Sequence, residues 1–407
     1  MTLGRQTPKV PARLPKLRPY GAVSVVALLA FSGYIKGTPL FSGLPVDLTA
    51  VGAVLTAAML VHRWFSHGIA NSALGPLIVL AGTFTMGWPI YETTAYADAK
   101  IMQLLTLVPL CALGGAYTLS DPRETRRFGH VVVLVGSLTA ALALLYRAVP
   151  ISSSALSAEG GNTIALGRAL GATVVVLAIL SLNPGRTRVI SLLGAATAAI
   201  GMLASGSRGP VLAAALSVAV GTALWTGMKA LRLPVVIAAT GSVAVYIAFR
   251  LGAVPERLLS LSDNSSEARV VLLDQARAQV ANNPLGLGWG GLDGILSTEG
   301  EKVLTYPHNI ALEVGAEAGW IAGLTLCTVL GLGFARASRK PRTIESALMA
   351  GLLTFFTLNA MVSGDITSNR GFWVVLGGSL AFASHGVDIS ALPRRRQARS
   401  RVQSAKR

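Results

Sequence analysis

Apolar residues fill long stretches of this chain, and the stretches recur from Tyr20 almost to the C-terminus with few charges inside them. Runs of about 18 or more such residues are long enough to cross the roughly 30 Å hydrocarbon core of a bilayer as α-helices. The pattern predicts an all-α integral membrane protein with about twelve transmembrane helices. The predicted helices cover 20–36, 44–61, 73–90, 101–119, 129–146, 164–182, 189–205, 210–227, 233–249, 310–334, 344–362 and 371–386.

These helices divide the chain into five regions. Basic tails occupy 1–19 and 389–407, helices one to nine occupy 20–249, a large loop occupies 250–307, and helices ten to twelve occupy 308–388. Composition supports this division, because 52% of the residues are hydrophobic, 13% are charged, and the mean hydropathy is +0.59. A soluble protein of this composition would aggregate, so lipid is the expected solvent.

The net charge of +17 raises the question of nucleic acid, but the positions of the basic residues exclude it as the expected partner. Basic residues concentrate in both tails and in every second connection, which is the signature of cytoplasmic segments beside membrane lipids. Both termini are therefore predicted to be cytoplasmic, and the loop at 250–307 is predicted to lie outside. The connections carry Arg63; Arg123, Arg126 and Arg127; Arg186 and Arg188; Lys229 and Arg232; and Arg336, Arg339, Lys340 and Arg342.

The large outer loop contains a predicted amphipathic helix. Asn264 followed by Glu267 resembles a capping box, and Asn282-Asn283-Pro284 provides a stop. The pattern favours a helix lying on the outer membrane surface. The residues that share one face of it are Arg269, Leu272, Ala276 and Val280.

A glycine-rich segment, Pro284-Leu285-Gly286-Leu287-Gly288-Trp289-Gly290-Gly291, follows this helix and contains a formal G-x-G-x-x-G match. A dinucleotide site is rejected, because no strand precedes the segment and no βαβ unit surrounds it. Two interpretations remain. The glycines permit a tight loop with positive φ and close backbone approach, or they form the rim of a ligand site.

One histidine of the five is predicted to lie outside the cytoplasm. His62, His67, His130 and His385 fall at the cytoplasmic side, and His308 stands at the outer mouth of the tenth helix. Pro307 is well placed for a helix start, and the positive end of that helix would help to keep the imidazole neutral, as a proton acceptor requires. His308 is the candidate catalytic base, and the alternative is a histidine that caps the helix.

Two carboxylates, Glu313 and Glu317, follow at i, i+4 spacing on one stripe with Asn309. Acids inside an apolar segment are costly and indicate a partner. They could orient His308 or pair with an arginine, and an ion pair between helices is an equal alternative.

The outer turn Ser205-Gly206-Ser207-Arg208-Gly209-Pro210 places a cation at the positive end of a helix. A bound phosphate would satisfy the free backbone N–H groups and the guanidinium together. The alternative is an arginine that snorkels to lipid headgroups. The glycines and serines around Arg208 leave the backbone open, which favours anion binding.

Further arginines, Arg269, Arg168 and Arg147, fall on the outer side, and Arg370 with Asp365 nearby completes the set. Several cations and one histidine on one face suit a diphosphate-bearing lipid. No His/Cys/Asp cluster with metal spacing accompanies them, so no metal or cofactor is predicted. Cys111 and Cys327 are expected to be packing residues inside helices.

The order of these motifs resembles the O-antigen ligase family and the related bacterial polysaccharide polymerases. The matching features are Ser207-Arg208-Gly209, the large outer loop, its Pro-x-Gly-x-Gly stretch at Pro284, and His308-Asn309-x-x-Leu312 with Glu317-x-Gly319. The resemblance implies a GT-C-like glycosyltransferase of lipopolysaccharide or polysaccharide biosynthesis. Such an enzyme transfers a glycan from undecaprenyl diphosphate to an acceptor hydroxyl on the outer face of the bacterial cytoplasmic membrane, without a metal.

The same resemblance implies roles for individual residues. Arg208 and Arg269 would hold the donor diphosphate, and His308 would deprotonate or orient the hydroxyl of a glycolipid or glycan acceptor. Arg168, in Asn162-x-x-Ala165-x-Gly167-Arg168, looks like another recurring donor position. A polymerase using the same donor, a transporter or flippase for a polyprenyl-linked glycan, and a noncatalytic scaffold remain alternatives. A transport site is expected near the midplane, whereas the candidate residues lie at the outer rim.

Overall fold

A computed structural model describes residues 20–35, 41, 43–67, 71–88, 94–145, 163–185, 187–227, 264–296, 306–339 and 343–382. Both basic tails, the predicted helix at 233–249, the two ends of the large loop, Arg147 and His385 lie outside the described residues. The helices of the described part, numbered in chain order, are α1 Tyr20–Ile35, α2 Leu48–His67, α3 Asn71–Phe84, α4 Ala95–Leu105, α5 Leu107–Thr118, α6 Pro122–Leu145, α7 Thr163–Leu180, α8 Thr187–Ala204, α9 Arg208–Thr226, α10 Asn264–Asn282, α11 Ile310–Ala337, α12 Ile344–Ala360 and α13 Arg370–Ala381.

Eleven of the twelve predicted membrane helices fall on these elements, and the fourth is divided into two. It begins at Ala95, where the Thr94 side chain accepts the N–H of Ala97, and it is broken at Thr106. The break has a local cause, since Pro109 has no N–H to donate to the carbonyl of residue 105 and its ring excludes that carbonyl from a continuous helix. The earlier start brings Lys100 into the helix.

Seven segments of the described residues are long and apolar enough to cross a membrane: α2, α4 together with α5, α6, α7, α8, α9 and α11. Three shorter apolar helices lie at Gly21–Tyr34, Ser72–Gly87 and Ile344–Ala360. Large apolar side chains such as Ile190, Ile200 and Leu212 are exposed on these helices, as expected of surfaces that face lipid. The chain is an α-helical integral membrane protein, and the number of twelve crossings stays a prediction.

Polar contacts separate the two ends of the helix bundle. At one end, Arg126 pairs with Glu345 at 2.5 Å, and Arg336 donates to the carbonyl oxygens of Ser72 and Leu380 at 2.6 and 2.5 Å. At the opposite end, which we call the His308 end, contacts join the end of α1 and the starts of α2, α7, α11 and α13. The separation agrees with the predicted sorting of basic loops, whose membrane side stays a prediction.

The predicted amphipathic helix is α10, with the expected start and stop. Leu272 and Ala276 are fully buried, and Leu272 and Val280 pack with Leu292 and with Ala316 of α11. The apolar face that the sequence assigned to the outer membrane surface is therefore covered by protein. α11 presents Gly315 and Ala316 there, and these small residues admit close contact.

Candidate functional site

His308 stands two residues before α11 in a left-handed backbone conformation, with φ of 59°. A non-glycine residue in this region costs about 1–3 kcal/mol and marks a constrained position. Asn309 caps the helix, because its side-chain oxygen accepts the N–H groups of Ala311 and Leu312, both at 3.1 Å. Pro307 therefore precedes the cap and does not occupy the first helical turn as expected. The capping role that was the alternative for His308 belongs to Asn309.

The His308 imidazole is half-buried against the edge of the Tyr306 ring, with ring centroids 4.7 Å apart. Within the described residues its Nδ1 atom is buried without a hydrogen-bond partner. Burial, and then the positive charges of Arg269 and Arg168, lower the pKa of His308 to about 4. The imidazole is thus neutral at pH 7 and can accept a proton. The pKa of His308 is lowered mainly by burial and then by the neighbouring cations, whereas the sequence had suggested the positive end of the helix as the cause.

Three of the predicted site residues come together from three separate elements. Arg269 lies on α10, Arg168 lies on α7, and both are near enough to His308 to act on its charge. The turn that carries Arg208 packs against Gly167, the residue before Arg168, since a Cβ on Gly167 would lie 2.9 Å from the Ser205 Oγ. Arg208 is the first residue of α9, so Pro210 is its third residue.

Arg168 is held by the backbone at the end of α12. It is 8% exposed, and its Nη2 atom donates to the carbonyl oxygens of Asn359 and Ser363 at 3.2 and 2.6 Å. Its guanidinium also lies within hydrogen-bonding reach of the Tyr34 hydroxyl. Carbonyl groups at a helix C-terminus attract cations, so part of the role of Arg168 is structural. Its Nε atom is buried without a partner among the described residues.

Arg370 and Asp365, which are near each other in sequence, have different partners. Arg370 Nη1 donates to the hydroxyl oxygens of Ser32 and Thr49 at 2.8 and 2.9 Å, which ties α13 to α1 and α2. Asp365 instead accepts the backbone N–H of Ser368 at 2.7 Å and shapes its own turn.

A buried lysine that sequence reasoning missed lies between the two acids of α11 and pairs with both. Lys100 Nζ lies 2.6 Å from Glu313 Oε1 and 2.5 Å from Glu317 Oε2, and the three side chains are 0–1% exposed. The acids therefore pair with a lysine on α4, where an arginine or His308 had been considered. One signal was present, because Lys100 is the only basic residue between Arg63 and Arg123 and falls in a connection predicted to be outside.

The glycine-rich segment is a packing element, which confirms the first of its two interpretations. Gly286, Gly288 and Gly290 have φ of 90°, 88° and 83°. The N–H groups of Leu287 and Gly288 donate to the carbonyl oxygens of Ala316 and Glu317, each at 2.9 Å. Those carbonyls belong to α11, which is broken at Gly319 with φ of 86° and ψ of 163°. The loop thus supplies hydrogen bonds to the broken helix.

Trp289 anchors the same loop. Its Nε1 atom donates to the Phe84 carbonyl oxygen at 2.9 Å, and its ring meets Phe84 edge-on at 5.3 Å between centroids.

Among the described residues, no three His, Cys, Asp or Glu side chains gather in a way that could hold a metal ion. Cys111 is buried and Cys327 is exposed, and both are free thiols.

The fold and this end of the bundle define an α-helical membrane protein with a neutral histidine, several arginines and a buried charge cluster on one side. Residues 193–327, about a third of the chain, match the family model described as O-antigen ligase. The match supports the predicted resemblance to the O-antigen ligase family. It includes Arg208, Arg269, His308, Glu313 and Glu317, and leaves out Lys100, Arg168 and Arg370. The comparisons with curated proteins and with solved structures gave no match.

Proposed function

We propose that the protein transfers a glycan from undecaprenyl diphosphate to an acceptor hydroxyl at the His308 end of the bundle, without a metal. The proposal places this end at the outer face of the bacterial cytoplasmic membrane, with both termini in the cytoplasm. The family match supports a membrane enzyme of the ligase or polymerase type. The donor, the acceptor and the residue roles are the proposed part.

The observation that carries the proposal is a neutral imidazole flanked by arginines from separate elements. The charges of Arg168 and Arg269 act on His308, and the turn of Arg208 packs against Gly167, the residue before Arg168. A histidine without charge can accept a proton, and guanidinium groups are the preferred partners of phosphate. This combination serves a reaction in which a hydroxyl loses a proton and a diphosphate departs.

In the proposed reaction, the acceptor oxygen attacks the anomeric carbon of the donor sugar while His308 takes the hydroxyl proton. The bond between the anomeric carbon and the diphosphate oxygen breaks, and its electron pair stays on the diphosphate. A positioned base contributes about 10²- to 10⁴-fold to such a rate. Arg208, Arg269 and Arg168 stabilise the charge that develops on the leaving group, which assists the transition state more than the ground state.

Donor binding also improves the base. The positive charges of Arg269 and Arg168 help to lower the pKa of His308 in the free protein. A diphosphate between these groups offsets their charge and raises the basicity of the imidazole. His308 is then a stronger proton acceptor when the donor is present, which suits an enzyme that must not activate water in its absence.

The test is transfer by purified protein reconstituted in lipid, with an undecaprenyl-diphosphate-linked glycan as donor. We expect product with EDTA present, a loss of about 10²-fold or more in His308→Ala, and a loss of at least tenfold in Arg208→Ala and Arg269→Ala. Two matched controls are His130→Ala, an exposed histidine of α6, and Arg277→Ala, an exposed arginine on the same helix as Arg269. Both controls should keep most of the activity.

Parallel acceptors separate the related functions. Lipid A-core, a second lipid-linked glycan and a protein acceptor are supplied in separate reactions, and the acceptor that gains sugar distinguishes ligase from polymerase. Full activity of His308→Ala and Arg208→Ala as folded proteins would refute the assigned roles. Movement of intact donor across the bilayer without any glycosidic product would instead favour a flippase.

A further inference from the structure

The two buried carboxylates of α11 share Lys100 but contact different loops. Glu313 Oε2 accepts the backbone N–H of Ile366 at 3.0 Å. The Glu317 carboxylate lies against the backbone N–H groups of Gly290 and Leu292 in the glycine-rich loop. The two acids are one helical turn apart, both are fully buried and both pair with Lys100. They differ in the loop whose backbone N–H groups each carboxylate contacts.

Residues 361–369, which we call the Ile366 loop, connect α12 to α13 and orient Arg168. Ser363 gives its carbonyl oxygen to Arg168 at 2.6 Å. Asn369 Nδ2 donates to the carbonyl oxygen of Asp365 at 2.7 Å, and Trp373 Nε1 donates to that of Ile366 at 2.8 Å. These bonds hold the loop to itself and to the first turns of α13.

Glu313, which accepts the Ile366 N–H, lies in the first turn of α11, close in sequence to His308. The N–H of Glu313 donates to the carbonyl oxygen of Asn309 at 2.8 Å, which is the first helical bond after the cap. His308 directly precedes Asn309, so its backbone is fixed to the first turn of α11. A displacement of Glu313 relative to the Ile366 loop changes the separation between the histidine and Arg168.

We propose that Glu313 is a positioning residue that ties the first turn of α11 to the Ile366 loop and thereby sets the distance between the His308 imidazole and the Arg168 guanidinium. The inference rests on the proposed glycosyl transfer, in which these two groups are base and diphosphate cation. A carboxylate acceptor gives a stronger hydrogen bond than a neutral one, and Lys100 offsets its charge. Misplacement of reacting groups by about 1 Å can cost on the order of 10²-fold in rate.

Three substitutions separate positioning from stability. Glu313→Leu removes the acceptor of the Ile366 N–H, Glu313→Gln retains an acceptor oxygen, and Glu317→Leu removes the acid that holds the other loop. Each variant leaves Lys100 paired with one carboxylate, so the charge balance of the cluster is the same in all three. We expect the two leucine variants to lose thermal stability to a similar degree.

The kinetic readout is the division between kcat and the donor KM. Glu313→Leu should lose about 10- to 100-fold in kcat with a donor KM within about twofold, because Arg208 and Arg269 still meet the diphosphate. Glu313→Gln should recover to within about threefold of the unsubstituted protein, and Glu317→Leu should lose about threefold at most. Equal kcat losses in both leucine variants, or no recovery in Glu313→Gln, would overturn the positioning role.

Hydrogen–deuterium exchange of the Ile366 loop, measured without donor, tests the contact separately from catalysis. Exchange should accelerate in Glu313→Leu and remain slow in Glu313→Gln and Glu317→Leu. Unchanged exchange in Glu313→Leu would overturn the inference even if the protein is an active transferase. Absence of transfer by the unsubstituted protein would overturn the proposed function, and accelerated exchange in Glu313→Leu would then still support the contact between α11 and the loop.

Discussion

Replacement of Lys100 by methionine should destabilise the protein more than replacement of an exposed cation. Methionine is unbranched and of similar length, so it fills most of the space of the lysine while removing its ammonium group. Glu313 and Glu317 then lose the partner that lies 2.6 and 2.5 Å from them. Two carboxylates remain in a fully buried site one helical turn apart, where like charges are costly.

The expected destabilisation by Lys100→Met is large because both of its ion pairs are fully buried. Removal of one partner from a buried ion pair costs about 3–5 kcal/mol. With an unfolding entropy of about 2.1 cal/mol/K per residue, 407 residues give roughly 0.85 kcal/mol/K. Lys100→Met should therefore lower the melting temperature by about 4–6 °C. Arg126 pairs with Glu345 near the surface, with its side chain 43% exposed, and such pairs contribute about 0–1 kcal/mol. Arg126→Met should change the melting temperature by about 1 °C or less.

The burial of Cys111 provides the assay. A thiol-reactive fluorophore labels Cys111 only when the helices around it separate, whereas Cys327 is exposed from the start. Unfolding in detergent is therefore followed in a Cys327→Ser background, in which the signal reports Cys111. Lys100→Met and Arg126→Met are compared in this background at the same detergent concentration.

Two results would refute the reasoning. One is a melting temperature of Lys100→Met within about 1 °C of the Cys327→Ser background, which would mean that the ion pairs contribute as little as exposed ones. The other concerns a triple variant, Lys100→Met, Glu313→Gln and Glu317→Gln, in which no charge remains in the site. It should recover most of the loss, because the penalty comes from uncompensated charge. A triple variant as unstable as Lys100→Met would locate the cost in packing instead.

Two further predictions concern the base and the glycine-rich loop. Because the pKa of His308 is lowered to about 4, kcat/KM for the donor should stay constant from about pH 7 to pH 5 and fall with a midpoint near pH 4, as the free enzyme becomes imidazolium. A midpoint near 6.5 would contradict the observed surroundings of the ring. Gly286→Ala should lose about 1–3 kcal/mol or more, since its φ of 90° disfavours alanine and the added Cβ would meet the Glu317 backbone. The control is Gly331→Ala in α11, the helix that Gly286 contacts, because a Cβ on Gly331 meets nothing within 4 Å. This variant should not lower the melting temperature in the Cys111 assay.

The helices were predictable because their signal is local. Each apolar run lies within one segment, and its length against the bilayer thickness decides the assignment. The same holds for His308, whose position in the charge pattern singled it out among five histidines. Arginines on the same side as His308 were expected from topology and from the family motifs, and the charges of Arg168 and Arg269 do act on its imidazole, while the catalytic roles stay a prediction.

The Lys100 cluster was not predictable in the same way. Lys100 and Glu317 are 217 residues apart, and no periodicity connects residues so distant. The acids indicated that a partner was needed, but several arginines were equally available. The two backbone acceptors of Arg168 are likewise invisible in sequence, because a carbonyl oxygen at a helix end carries no residue-specific signal. The break at Gly319 was hidden too, since glycine is common inside transmembrane helices.

The break in α11 also resolves a mismatch of length. As a straight helix, the 28 residues of Ile310–Ala337 would extend about 42 Å, well beyond the roughly 30 Å of hydrocarbon. The stretch after Gly319, residues 320–337, covers about 27 Å and matches the hydrocarbon by itself. The shorter stretch before it is free to follow a different direction, set by the glycine-rich loop. Glu313 and Glu317 both lie on that shorter stretch, so the part of α11 that must be compatible with lipid is not the part that carries the two acids.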